Sequence, residues 1–442
     1  MKSRNTSADS IVANWSVDCA PCSNIGFVAT RIAGTDGVSL ETLKWASTLE
    51  KHGFNCFYLA GELDTPPEKS RPVQRAHFRH EDITEIYKSC FGRRRRERFV
   101  TSKISGIKEE LKDHLYNFID EFSIDLLITE NSITIPLNLP LGIAIAEVAS
   151  ETGIRTIAHH HDFFWERTHF LTNAVWEYLN MAFPPHLPNI RHVVISSSAD
   201  NQLSLRTGIS ATLIPNVMDF ENPPPQPDEY ASDVRRELGI REDEYFILQP
   251  TRVVKRKGIE HAVELVKRLD MKARLVITHS AGDEGYDYAE RIRDYARLLG
   301  VDIVFAARRV DEKRGLTEEG EKIYTLADIY PFADLVTYPS TYEGFGNAFL
   351  EAVYHKKPLL INTYSIYSVD IRPKGFAVIE MPGFITPMVI ENTRNLLKDP
   401  ELREKMVEHN YNTARRFYSY SVLEQKLYAV MNEVTPLVTP ET

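Results

Sequence analysis

The sequence predicts an α/β protein of two Rossmann-like domains, and three observations carry that prediction. Short apolar runs that read as buried strands alternate with longer amphipathic runs that read as helices. The alternation comes as two series, separated by Glu221-Asn-Pro-Pro-Pro-Gln-Pro-Asp228, a stiff extended linker. With 442 residues, 43% of them hydrophobic, the chain is large enough for two cores.

The first series opens with the strand Asn24 to Thr30, the turn-rich loop Arg31 to Ser39 and an amphipathic helix through His52, followed at once by a strand at Asn55 to Ala60. Gly34 and Gly37 sit in a loop at the carboxyl end of a strand, where such folds place ligands, although the full Gly-x-Gly-x-x-Gly fingerprint of a dinucleotide site is missing. Glu62 to Ser89 reads as a surface excursion. Phe91-Gly-Arg-Arg-Arg-Arg-Glu-Arg-Phe99 leads a helical stretch to about Phe122, and its arginines read as a solvated helix face, an anionic-acceptor site or a contact with anionic lipid. A strand at Ile124 to Thr129 and a helix from Leu139 to Glu151 continue the alternation. The next strand, from Arg155, ends in His159-His160-His161-Asp162, a chemical cluster in a loop position. Neighbours along an extended chain point to opposite sides, so the three histidines are not expected to ligate one ion, and no metal site is expected. His192 to Ser196 is a strand, Ser198 to Thr207 a short helix, and Thr212 to Phe220 a strand ending in a turn.

The second series begins with the strand Tyr245 to Gln249 and a basic loop, Pro250-Thr-Arg-Val-Val-Lys-Arg-Lys-Gly258, leading into a helix through Leu269. Strands follow at Arg274 to Thr278, Asp302 to Ala306 and Pro358 to Asn362, and helices at Pro400 to Phe417 and Ser421 to Val434. The stretch that organises the rest is Leu335 to Glu351, a buried strand, a glycine-rich turn and the first turns of a helix. Gly344 and Gly346 let the backbone pass close to a ligand, and the helix opening near Asn347 aims unpaired N–H groups and a positive dipole end at the same place. Glu343 stands before the turn and Glu351 two helical turns on, so both carboxylates can serve one cleft that takes an anion or a hydroxyl-rich ligand.

Composition narrows the function. A formal net charge of -10 argues against a general nucleic-acid binder, and no apolar run approaches a membrane span, so peripheral membrane contact is not expected either. Met1 to Asn24 lacks the apolar core of a secretion signal, and four cysteines suggest a reducing compartment, so a cytoplasmic protein is expected. Cys19-Ala-Pro-Cys22 has redox spacing but precedes the first strand, and Cys56 and Cys90 read as core fillers.

Ser340-Thr-Tyr-Glu-Gly-Phe-Gly346, Leu350-Glu-Ala352 and Lys357-Pro358 together resemble the E-x7-E segment of retaining, nucleotide-sugar-dependent glycosyltransferases of family 4. His161-Asp-Phe-Phe-Trp-Glu-Arg167, Ile214-Pro-Asn-Val217 and the pair Arg252 with Lys257-Gly258 also fit that family, so the resemblance covers nearly all of the chain after residue 24. It implies the GT-B arrangement, two Rossmann-like domains facing across a cleft. Residues 1–222 would form the acceptor-side domain, residues 229–418 the donor-nucleotide domain, and the tail 419–442 a helix packed back on the first.

The activity implied is transfer of a hexose, glucose or mannose, from an NDP-sugar to an acceptor hydroxyl with retention of configuration. No cofactor is implied beyond the UDP- or GDP-linked donor. By the same resemblance His161 and Glu343 contact the transferred sugar, with Asp162 orienting the histidine's loop, and Glu351 contacts the donor ribose. Arg252 and Lys257 neutralise the diphosphate, Gly37 belongs to the donor diphosphate or the acceptor, and Gly344, Phe345, Gly346 and Asn347 supply backbone donors. Lys255 and Arg256 read as solvated, and the loops His279 to Asp283 and Ala307 to Arg309 are placed near the base. Asp36 and Arg93, Arg94, Arg95 and Arg96 are candidates for a small anionic or phosphorylated acceptor. The rivals are a GT-B sugar phosphorylase or epimerase, which activity with free phosphate would favour, and a non-catalytic sugar-nucleotide sensor, which turnover of any NDP-sugar would exclude.

Overall fold

A computed structural model describes residues 24–34, 36–280 and 287–434. Cys19, Cys22 and residues 281–283 of the base-side loop lie outside the described residues. The first sheet has seven strands: β1 (Asn24–Val28), β2 (Asn55–Ala60), β3 (Ser70–Pro72), β4 (Leu126–Glu130), β5 (Arg155–His160), β6 (Ile190–Val194) and β7 (Ala211–Leu213). They are parallel and run in the order β3-β2-β1-β4-β5-β6-β7. Ile25, Phe27, Leu126, Ile128, Ile157 and Val193 are buried on one face, and parallel strands covered on both faces carry such continuous apolar runs.

The second sheet is built from β8 (Tyr245–Gln249), β9 (Ala273–Ile277), β10 (Ile303–Phe305), β13 (Leu335–Tyr338), β14 (Leu359–Asn362) and β15 (Ile379–Met381), with the hairpin β11 (Gly315–Leu316) and β12 (Lys322–Ile323) outside it. Its order is β10-β9-β8-β13-β14-β15, again parallel. The final helix, Tyr420–Val434, lays Leu423, Leu427 and Val430 at helical spacing into the first core beside Trp45 and Leu49. Glu221 of the proline-rich stretch accepts from the backbone N–H and hydroxyl of Ser421, which fixes where that helix starts.

Two expectations need correction. Glu62 to Ser89 is more than a surface excursion: it holds the edge strand β3 and most of the helix Glu81–Cys90, whose Ile83, Ile86 and Cys90 enter the core. A three-residue strand is too short to show an alternation. The run Arg93 to Arg96 is not on a helix face either, because the helix starts only at Arg98. Arg96 is instead committed to Glu177 and the Ala174 carbonyl, and Arg93 donates to the Lys88 carbonyl, while Arg94 and Arg95 are exposed. Cys56 and Cys90 are buried thiols, and burial pushes them up to about 12 and about 11, as suits packing residues. Among the described residues no helix is long and apolar enough to cross a membrane.

Candidate active site

Each sheet reverses its strand order once, between β1 and β4 in the first and between β8 and β13 in the second. In open parallel sheets ligands bind outside the carboxyl ends of the strands at that reversal. Four segments meet this condition: the loop after β1 with Asp36 and Gly37, Glu130 at the end of β4, the basic loop after β8, and the glycine-rich turn after β13.

On the second sheet the basic loop and the glycine-rich turn are locked together. Gly258 has φ 58°, and a Cβ there would lie 2.5 Å from the Pro339 carbonyl oxygen, so only glycine lets the two segments meet. The Thr341 N–H donates to the Arg256 carbonyl at 2.8 Å. Lys257 is thereby drawn inward to 8% exposure and donates to Glu343 Oε1, while Arg256 Nη1 donates to Glu343 Oε2 at 3.1 Å. Burial alone would raise the Glu343 carboxyl, but Lys257 and Arg256 outweigh it and hold the group below its ordinary range. Burial lowers the Lys257 ammonium against the pull of Glu343. Arg256 is therefore not a solvated bystander: the turn at Glu343 folds back over its guanidinium. Arg252, on the same loop, is exposed; burial chiefly, and the Arg252 charge in addition, depress Lys257 and His279.

Gly346 takes φ 132° with the Tyr364 hydroxyl 2.5 Å from where a Cβ would stand, and the helix Asn347–Tyr354 starts immediately after it. Glu351 accepts from the Tyr330 hydroxyl at 3.1 Å, and burial raises its carboxyl. Such a group exchanges hydrogen bonds with a hydroxyl readily.

On the first sheet the strand-end histidines divide. His159 Nδ1 and His161 Nε2 both meet Glu130 Oε2, at 2.9 and 3.2 Å, because residues two apart on a strand share a side. His160 turns the other way, to Thr134 and to His192 Nδ1 at 2.9 Å. Burial would raise Glu130, yet the two imidazoles hold it at about 2, while burial keeps His159 below its ordinary range. His159 stacks on Trp45 at 4.1 Å. One ligand atom from each of Glu130, His159 and His161 lies within 4.8 Å of the others, so this trio is the group among the described residues that could hold a metal ion. Asp162 accepts from Asn131 at 3.1 Å and from Arg167 at 2.7 Å, which orients the loop that follows His161.

The two sides meet. A Cβ on Gly344 would lie 3.4 Å from the His161 carbonyl oxygen, and one on Gly37 would lie 3.2 Å from the Asn347 amide nitrogen. Asn216, in the Ile-Pro-Asn-Val motif, donates to Asn347 Oδ1 at 2.7 Å. Between the sides lies a cavity of about 220 Å³ lined by His161, Glu166 and Gln202 on one wall and Tyr342, Glu343 and Gly344 on the other. The structure thus brings His161, Glu343, Lys257 and the glycine turn together, with Gly37 beside the helix opening. It spends the Asp36 carboxylate on capping the helix Gly37–Lys51 and on Arg31, and it leaves Arg93 to Arg96 outside the cavity lining, with Arg96 on Glu177 of the helix Trp176–Ala182. From sequence Arg256 reads as solvated, Asn216 and Glu166 appear only as members of motifs with no role, and Glu130 is not singled out. A charged residue ending an apolar strand was a usable signal for Glu130.

Residues 231–413 match the family model described as glycosyl transferases group 1. Over 378 residues the chain is 32% identical to the mannosylglucosylglycerate synthase of Petrotoga mobilis, covering 81% of this chain and 86% of that protein. The chain belongs to the group 1 glycosyl transferases. A second relative, the mannosylglucosylglycerate synthase of Thermotoga maritima, is 30% identical over 427 residues, covering 89% of this chain and 96% of that one. In fold this glycosyltransferase is GT-B. A glycosyltransferase from Rickettsia africae superposes with a TM-score of 0.66 at 14% identity over 93% of this chain and 98% of that one. Sucrose-phosphate synthase from Thermosynechococcus elongatus gives 0.65 at 14%, covering 93% and 99%.

Proposed function

We propose that this glycosyltransferase is a retaining, family 4-type enzyme that moves a hexose, mannose or glucose, from a GDP- or UDP-linked donor to a hydroxyl of a small anionic acceptor. One observation carries the reading. At the reversal of the second sheet a buried ammonium and a half-buried guanidinium hold Glu343 beside a helix N-terminus, with the exposed Arg252 on the same loop, and Glu343 lines a cavity whose other wall carries the hydrogen-bonding side chains of His161, Glu166 and Gln202. A donor diphosphate needs the first side and a sugar the second.

In this reading Arg252, Lys257 and the amides opening the helix at Asn347 take the charge that grows on the leaving diphosphate. The diphosphate itself helps remove the acceptor proton on the face it leaves, so no protein nucleophile is required. His161 and Glu343 hold the hexose, and Glu351 the ribose. The names of the two relatives support a glycerate-bearing acceptor. A mannosylglucosylglycerate ends in a carboxylate, and adding its outer sugar last requires a mannosyl donor and a glucosylglycerate-type acceptor.

The test is product formation from GDP-mannose, UDP-glucose and their exchanged bases with glucosylglycerate, glycerate and neutral sugars, with the anomeric configuration read by NMR. An α-linked product from an α-linked donor is expected. An inverted linkage rejects the retaining mechanism, and turnover only with free phosphate selects the phosphorylase.

A further inference from the structure

The motif His161-Asp-Phe-Phe-Trp-Glu-Arg167 carries a second acid that the account so far leaves unused. Glu166 ends a single 3-10 turn, Phe164–Glu166, and that turn is held rigidly: Phe163 is fully buried, and its ring stacks on Trp165 at 4.5 Å. The carboxylate takes one donor from each of three directions. The Phe163 N–H reaches Oε2 at 3.3 Å, the Tyr342 hydroxyl reaches the same oxygen at 3.2 Å from the second sheet's turn, and Gln202 Nε2 reaches Oε1 at 3.1 Å from the helix Ser197–Thr207. All three are neutral donors, and the nearby Arg167 is engaged with Asp162. A carboxylate offers about four lone-pair sites, so one acceptor site remains on Oε1, the oxygen with a single partner.

The surroundings match what a hexose presents. Besides His161 and Glu343 the cavity is lined by Ser196, Ser198 and Ser365, residue types that can exchange hydrogen bonds with sugar hydroxyls. At about 220 Å³ it suits one pyranose ring. Burial and then the Asp162 charge raise the Glu166 carboxyl, against the hydrogen bonds from the Phe163 N–H and the Tyr342 hydroxyl, which lower it.

We propose that Glu166, positioned by Gln202 and Tyr342, is a specificity residue for the transferred hexose: its carboxylate accepts a hydrogen bond from a sugar hydroxyl remote from the anomeric carbon and thereby distinguishes epimeric donors. The proposal rests on the donor reading above and deepens it. An O–H···O⁻ bond is short and strong, and a site built to pair with a substrate hydroxyl rejects an analogue that misplaces it far more sharply than an apolar pocket does. The competing role for Glu166 is a latch, since the Tyr342 bond joins the two sides of the cleft whether or not sugar is present.

Calorimetry and kinetics on the full chain separate these roles. GDP and UDP, GDP-mannose and the UDP-linked glucose and galactose are titrated into the parent and Glu166→Gln, and kcat/KM is measured for each donor. The specificity role predicts that Glu166→Gln binds the bare nucleotide within about twofold of the parent, loses the additional affinity that the hexose confers, and shrinks the kcat/KM ratio between epimeric donors by roughly tenfold or more. Equal weakening of nucleotide and nucleotide-sugar identifies a latch and overturns the proposal, as does an unchanged epimer ratio. Ser198→Ala and Tyr342→Phe are measured alongside. If Glu166→Gln does not fold, a narrowed epimer ratio in Tyr342→Phe with intact nucleotide binding supports the proposal, and an unchanged ratio in both overturns it. If the parent binds no nucleotide, the donor reading itself fails.

Discussion

Glu130 at the end of β4 and Glu343 after β13 occupy corresponding places, each at the strand-order reversal of its own sheet, but they keep opposite company. Glu343 is flanked by an ammonium and a guanidinium, whereas the Glu130 oxygen is shared by two imidazoles in a pocket of rings. Both carboxyls lie below their ordinary range, one through cations and one through histidine hydrogen bonds. The difference assigns labour. In the proposed function, fixed cations stabilise a departing diphosphate without reorganising, while a histidine anchored by a carboxylate holds a sugar hydroxyl.

The largest effect should come from removing the cations. Lys257→Ala and Arg252→Ala should each lower turnover by roughly 10²–10³, with less change in donor affinity, and the double variant should cost less than the sum. Arg256 still pairs with Glu343 in Lys257→Ala, so the variant should fold, which a melting curve checks. Turnover within about threefold of the parent in both would mean that they act as surface charges worth under ~1 kcal/mol.

On the other side, His161→Ala and Glu130→Gln should reduce turnover by roughly 10–10² while leaving nucleotide binding intact, because they act near the sugar. Glu351→Gln should chiefly weaken donor binding. Loss of nucleotide affinity in Glu130→Gln would erase the division between the two sides.

Acid should expose the imidazole side. Burial lowers His160 well below its ordinary value and puts His192 at about 4, and His279 and His355 on the second side are also at about 4. Their folded-state values lie below the unfolded value of about 6.5, so the unfolded chain binds more protons between them. The stability these histidines contribute is therefore complete above pH 6.5 and falls as pH drops toward 4, on the order of 1–3 kcal/mol for His192 alone. The carboxylates contribute no loss until pH falls below about 4.5. Urea midpoints that stay level between pH 7.5 and 5 would contradict this.

Smaller still is the arginine run. Neutralising Arg94 and Arg95 should raise the KM of an anionic acceptor a few-fold and leave the donor's alone. An equal change with neutral acceptors, or binding to anionic vesicles, would favour another role. Removing divalent metal should change turnover by less than about twofold. Activity lost in chelator and restored by an added ion would recast Glu130, His159 and His161 as ligands.

Much of the fold was legible because parallel strands buried on both faces leave long apolar runs. Tyr245 to Gln249 and Leu335 to Tyr338 are examples, and the proline-rich stretch separates the two series. Strand β3, Ser-Arg-Pro, and strand β15, Ile-Glu-Met, carry no continuous apolar run, whereas the equally short β10, Ile-Val-Phe, does. In the site, the glycines announced the turn, since Gly258 and Gly346 take positive φ where a Cβ would stand only 2.5 Å from an atom of another segment. The roles of Arg256 and Glu166 were hidden, because each depends on a partner far away in sequence, Glu343 for one and Gln202 and Tyr342 for the other. Adjacent charges look equivalent in a sequence: Lys255 is exposed and Lys257 buried only because a one-turn helix, Lys255–Lys257, rotates one outward and the other inward.

The most direct measurement of the central claim, that the second sheet's cations hold the donor diphosphate, is calorimetric titration of GDP and UDP in chelator into the parent, Lys257→Ala, and the double variant lacking Arg252 and Lys257. Binding of at least one nucleotide to the parent, weakened modestly in Lys257→Ala and somewhat further in the double variant while all three melt as folded proteins, is the expected result. Nucleotide affinity unchanged in the double variant would contradict it and move the donor site elsewhere.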